Sequence, residues 1–137
     1  MQTFLPSRIF AESARCLDRA RLGKQRVEAK QILLALRDPA YGWQNHPAVK
    51  MWRGHEDALI AYGMTVCVEW RRRGYADTLL PFFAPLPADH DLREPPWLGD
   101  PAFHASHRSN LLRKDPTWYG RFGWEEPPDL PYVWPVG

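Results

Sequence analysis

Long apolar runs are missing from this sequence. None approaches the roughly 18 residues that a membrane-spanning helix needs, so no membrane partner is expected. Cysteine is scarce as well. Cys16 and Cys67 carry no CxxC and no His/Cys ligand spacing, which predicts two reduced thiols in a cytoplasmic protein. Charge of one sign is also lacking: the net charge is +2, so any anion binding must come from local patches. Met1 to Pro6 offers neither a basic start nor a long apolar stretch, so a signal peptide is not expected. No segment alternates with period two, and there is no internal repeat or low-complexity linker. The 137 residues are expected to form one domain around one core, and the protein is expected to be a monomer.

What the chain does have is 7 Trp and 14 Pro, the Pro cutting its second half into short pieces. Residues 1 to 6 read as an extended arm. Ser7 predicts the cap of a first helix ending near Cys16, with Glu12 and Arg15 toward solvent. A second helix is predicted from Asp18, a fair N-cap, to Arg37, with Pro39 enforcing the stop. On it Leu22, Ala29, Leu33 and Leu36 share one face, and Val27 and Leu34 form a second apolar stripe. Such a helix should be largely buried, which leaves Arg21, Lys24, Glu28 and Gln31 either facing a cleft or satisfied internally. A third helical region spans about Pro47 to Arg73, with Gly54 as a possible break. Leu59, Tyr62, Val66 and Trp70 mark its core face, and Gly63 predicts a close neighbour. Arg71-Arg72-Arg73-Gly74 has the form of a helix end. Residues 75 to 99 resist assignment. Asp100-Pro101 starts a helix to about Lys114, Pro116 starts one more turn, and the tail should run extended over the surface. The fold class is all-α: a compact bundle of three to four helices with an extended N-terminal arm and a Pro-rich C-terminal tail.

The basic residues are clustered. Six Lys or Arg and a single acid, Glu28, lie between Arg19 and Arg37. Arg108, Arg113, Lys114 and Arg121 surround Trp118-Tyr119. Aromatic faces stack on nucleobases and cations neutralise phosphates, so the second cluster points to nucleic acid; solvated helix faces are the alternative. Asn45 and His46 at a helix start fit either anion binding or a plain cap. His104 and His107 have metal-compatible spacing but no nearby carboxylate, and no metal site is expected. Lys24 and Glu28, at i and i+4, form either a simple helix-face pair or a cleft carboxylate with altered protonation.

Several of these pieces resemble the pyrimidine-dimer DNA glycosylase family, the small phage-type endonuclease V repair enzymes. The resemblance lies in Pro116-Thr117-Trp118-Tyr119 with Gly123, in Arg26-Val27, in Gly42-Trp43-Gln44-Asn45-His46-Pro47 and in Arg73-Gly74-Tyr75. It spans most of the chain in order. It implies a single α domain with the N-terminal segment threaded between helices, acting on double-stranded DNA without metal or cofactor. It implies that the free α-amine of the first residue attacks C1′ of a damaged nucleotide to form a Schiff base, that a helix carboxylate assists, and that β-elimination then cuts the strand. An α-amine is a sound choice, since such groups as a class are partly neutral at pH 7. The bulky Gln2 keeps Met1 in place, so the nucleophile would be the Met1 amine. In a gapless register on Arg26-Val27 the family's catalytic Glu falls at Gly23. The nearest carboxylate is Glu28, which takes over if it faces the cleft with Lys24, so Met1, Glu28 and Lys24 are the expected catalytic residues. By the same analogy Arg26 contacts phosphate, and Trp118 and Tyr119 stack near the lesion; from the basic clusters, Arg21, Arg108, Arg113 and Lys114 are expected to add to the DNA surface.

Three readings therefore stand: a DNA glycosylase with AP-lyase activity on damaged or modified pyrimidines, a non-catalytic nucleic-acid-binding module of the same fold, or an enzyme on a nucleotide-like small substrate.

Overall fold

The computed structural model describes residues 1–83 and 94–136. Among these the chain is all-α, with no strand. The helices are α1 (Phe10–Cys16), α2 (Arg19–Arg37), α3 (Pro47–Trp52), α4 (Glu56–Arg72), α5 (Leu80–Phe83), α6 (Pro101–Lys114) and α7 (Pro116–Tyr119), followed by a 3-10 turn over Gly120–Phe122. The expected bundle of three to four is thus three long helices, α2, α4 and α6, with shorter ones between them.

Local chemistry sets most boundaries. Asp18 caps α2 by accepting the Arg21 N–H, and Asp100 and Asp115 cap α6 and α7 in the same way. The third region is split as Gly54 suggested: its φ of +84° turns the chain between α3 and α4. The start of α1 differs from expectation. Its N-cap is Ile9, and Ser7 instead accepts the Ile9 N–H at 3.1 Å and donates to Glu12.

α2 packs most extensively on α4. Leu22, Ile32 and Leu33 from α2, Trp52 from α3, Leu59, Tyr62 and Val66 from α4, and Phe103 and Leu111 from α6 are all buried in one core. Each such side chain contributes about 1.5–3 kcal/mol of hydrophobic stabilisation before entropy is counted. The second apolar stripe on α2 is not buried as expected: Val27 lies in solvent and Leu34 is half-buried. The close neighbour of Gly63 is Phe83, whose ring would lie 2.4 Å from a Cβ at that position. Residues 84–93, within the stretch that resisted assignment, lie outside the described residues. At the far end the tail runs extended along α6. Ser109 Oγ donates to Pro127 O and accepts the Leu130 N–H, Asn110 donates to Leu130 O, and Ser106 Oγ accepts the Val133 N–H.

Candidate active site at the N-terminus

The first five residues form no helix, yet Thr3, Phe4 and Leu5 are buried. Buried backbone groups need partners, and here side chains supply them. Gln25 grips the arm twice, its Nε2 donating to Gln2 O at 2.8 Å and its Oε1 accepting the Phe4 N–H at 2.9 Å. His107 Nδ1 accepts the Leu5 N–H, and His104 Nδ1 lies 2.7 Å from Leu5 O. Because His104 Nε2 accepts the Gly99 N–H, the neutral ring carries its proton on Nδ1 and donates to Leu5. Tyr62 donates to Phe4 O, Trp52 Nε1 to Thr3 Oγ1 and Arg108 to Pro6 O. The arm is threaded between α2, α3, α4 and α6, and its backbone from Gln2 to Pro6 is held by these bonds.

Glu28 meets that register. Its Oε2 accepts the Gln2 N–H at 2.7 Å, one peptide unit from the chain's terminal amine. His46 borders the same place. Its Nδ1 caps α3 by accepting the Ala48 N–H at 3.0 Å, so the neutral ring carries its proton on Nε2. Burial and then the positive charge of the terminal amine hold the His46 ring below the usual imidazole range, while Glu28 pulls the other way. Amine, carboxylate and imidazole thus share one electrostatic site. Tyr132, brought in by the tail, closes it. Burial raises its phenol, opposed by a hydrogen bond with the Gln2 side chain and by the charges of Arg113 and Arg21. Trp134 lies edge-on to His46 at 6.2 Å, and Trp43 lies edge-on to it at 5.8 Å on the other loop.

Gly23 explains where the carboxylate sits. A Cβ at Gly23 would stand 3.1 Å from the half-buried Trp70 ring, so a side chain there would need that ring to shift by a few tenths of an ångström. Glu28, five residues on, faces the arm instead.

The other expected residues separate into two groups. Arg21 is paired with Asp18 at 3.1 Å and stays partly exposed near Tyr132. Lys24 and Asn45 are exposed. Lys24 lines an open groove with Arg19, Val27, Trp70 and the half-buried Trp118. Trp118 has the Arg121 guanidinium 3.9 Å from its ring centre and donates to Cys16 O. Lys114 is exposed at the end of α6.

The second group is occupied by the fold. Tyr119 is fully buried, with its hydroxyl bonded to Asp18, and no face is free for a base. Arg26 is bonded to Asp77 and lies over the Trp70 ring at 4.5 Å. Arg108 is paired with Glu126, and Arg113 reaches Asn110 and Pro128 O, so both brace the tail. Sequence reasoning missed Gln25, Trp43, Tyr132 and Trp134. Gln25 had a visible signal, being the polar residue at i+3 from Leu22 and i−4 from Ala29. The tail aromatics had none.

A family model described as pyrimidine dimer DNA glycosylase matches residues 1–80. That stretch contains Met1, Gln25, Glu28, Trp43 and His46 and stops before Trp118. No curated protein and no solved structure matches the chain.

Proposed function

The chain belongs to the pyrimidine dimer DNA glycosylase family, and from that premise we propose that it excises damaged or modified pyrimidines from double-stranded DNA and cuts the strand as an AP lyase. The neutral Met1 amine attacks C1′ and the base departs. The sugar ring opens, C1′ becomes the carbon of a Schiff base with the Met1 nitrogen, and O4′ takes up a proton. Loss of a C2′ proton then expels the 3′ phosphate. No metal or cofactor takes part. Glu28 stabilises the cationic intermediates and handles the protons at O4′ and C2′. Arg21 and Lys24 meet phosphates, and Trp118 borders the bound strand.

The observation that supports this most is the 2.7 Å hydrogen bond from the Gln2 N–H to Glu28, which sets an ionisable acceptor beside the chain's one α-amine. Gly23, at the register position of the family's carboxylate, carries no side chain and is closely approached by Trp70, and Glu28 stands as the replacement. The same geometry speaks against a purely DNA-binding module, which has no use for a carboxylate held one peptide unit from the terminal amine.

The test is nicking of ultraviolet-irradiated supercoiled plasmid by the wild type, by Glu28→Gln and by a form with an acetylated N-terminus. The wild type should nick irradiated DNA and the other two should not. Full nicking by the acetylated form would overturn the amine mechanism.

A further inference from the structure

The Met1 amine is carried by a single peptide unit. A trans peptide is planar, so fixing the Gln2 N–H and its plane also fixes Met1 Cα. The amine then keeps one rotation, about the Cα–C bond, at about 1.46 Å from that Cα. How well the amine is placed therefore depends on how well Gln2 is held. Its N–H goes to Glu28 at 2.7 Å, and its carbonyl accepts from Gln25 at 2.8 Å. Its side chain folds back, Oε1 accepting the Thr3 N–H at 2.9 Å, so the other end of that amide is the Nε2 donor.

Tyr132 meets this side chain. The hydrogen bond between them favours the ionised phenol, as a bond donated to the phenol oxygen does. Tyr132 is itself pinned on both sides along the tail. The Leu130 N–H goes to Ser109 at 2.9 Å, Asn110 donates to Leu130 O at 3.0 Å, and the Val133 N–H goes to Ser106 at 3.1 Å. The Tyr132 ring stands edge-on to His107 at 5.5 Å, the imidazole that accepts the Leu5 N–H at 2.9 Å. Trp134 stands edge-on to His46 at the start of α3. Within a few residues the tail thus touches α6, the arm and the start of α3. The stretch matched to the family ends at residue 80, so this strap lies outside it.

We infer that Tyr132 is a positioning residue of the cleavage reaction: the tail, through the Gln2 side chain, holds the peptide unit that carries the nucleophilic amine. This rests on the DNA-repair reading above. Tyr132 touches no reacting atom in this role. Its loss widens the range of places the amine visits, and a misplacement of about 1 Å can cost about 10²-fold in rate without weakening DNA binding.

The test measures single-turnover cleavage of an abasic duplex at saturating enzyme, with DNA affinity measured separately. Tyr132→Phe keeps the ring on His107 and removes the acceptor. Gln2→Leu removes the donor and stays bulky, so Met1 is retained. Each should cleave about tenfold more slowly than the wild type with affinity within about twofold, and the double variant should be no slower than the slower single. Losses that multiply to about a hundredfold in the double variant, a loss confined to affinity, or a wild-type rate in Tyr132→Phe would overturn the inference. Deuterium exchange at the Gln2 amide reads the latch without any chemistry. It should be about tenfold faster in Tyr132→Phe than in the wild type, and equal exchange would refute the latch. A wild type that cleaves nothing would sink the repair reading, and the exchange measurement alone would then decide whether Tyr132 holds Gln2.

Discussion

Two polar surfaces of the molecule spend their charges differently. Around Tyr119 and the end of α6, cations and aromatics are matched to internal partners: Arg108 to Glu126, Tyr119 to Asp18, Arg121 to the Trp118 ring. Around the N-terminal arm the polar groups also bond to the chain, but to its backbone, and what they fix in place is the stretch from Gln2 to Leu5, next to the terminal amine. Gln25, His104 and His107 are scaffold for the arm, and Glu28 is what the scaffold presents to the first residues. A charged cluster whose members neutralise one another is mostly architecture.

Substitutions in the two regions should break apart in kind. The largest effect belongs to Glu28→Gln, expected to lower strand cleavage by about 10²–10⁴-fold with thermal stability nearly unchanged. Equal losses of activity and stability would make Glu28 a structural residue. Gln25→Leu should act on both readouts. It orphans the Phe4 N–H and Gln2 O, costing about 2–4 kcal/mol in denaturant unfolding, and it also displaces the amine and so lowers cleavage per folded molecule. Tyr119→Phe should act on one only. It removes the bond to Asp18 and costs about 1–2 kcal/mol, while cleavage by the folded fraction stays near wild type.

Acid should loosen the same arm. Burial holds both α6 histidines below the usual imidazole range, His107 down to about 3 from 6.5. The unfolded chain takes up these protons first, so the contribution of His107 is complete above pH 6.5 and is lost as pH falls toward 3, and that of His104 is lost in the same direction. Each pH unit within the His107 window removes up to about 1.4 kcal/mol. Unfolding midpoints followed from pH 7 to pH 4 check this, and a His107→Asn variant should show a flatter slope. For cleavage no effect is expected at the α4–α5 contact: Gly63→Ala should cost about 1–3 kcal/mol of stability through Phe83 and leave DNA cleavage by the folded protein unchanged.

The helical frame was legible because its signals are local. Asp18, Asp100 and Asp115 cap where short polar residues should, and Leu59, Tyr62 and Val66 fall on one face by periodicity alone. Glu28 was legible as the lone acid of a basic helix. Tyr119 misled, because exposure cannot be read from an aromatic flanked by cations: its hydroxyl finds Asp18, 101 residues away in sequence. Arg26, Arg108 and Arg113 misled for the same reason, since their partners come from distant segments. Tyr132 and Trp134 were illegible because the tail has no periodicity, and its bonds to α6, through Ser106, Arg108, Ser109, Asn110 and Arg113, fix where those rings go.

The central claim is that the terminal amine is the nucleophile. Peptide mapping by mass spectrometry after borohydride reduction on abasic DNA tests it most directly. The account predicts the sugar remnant on the peptide that begins with Met1, on its α-nitrogen. A remnant on Lys24 or any other lysine, with the Met1 peptide unmodified, would contradict it.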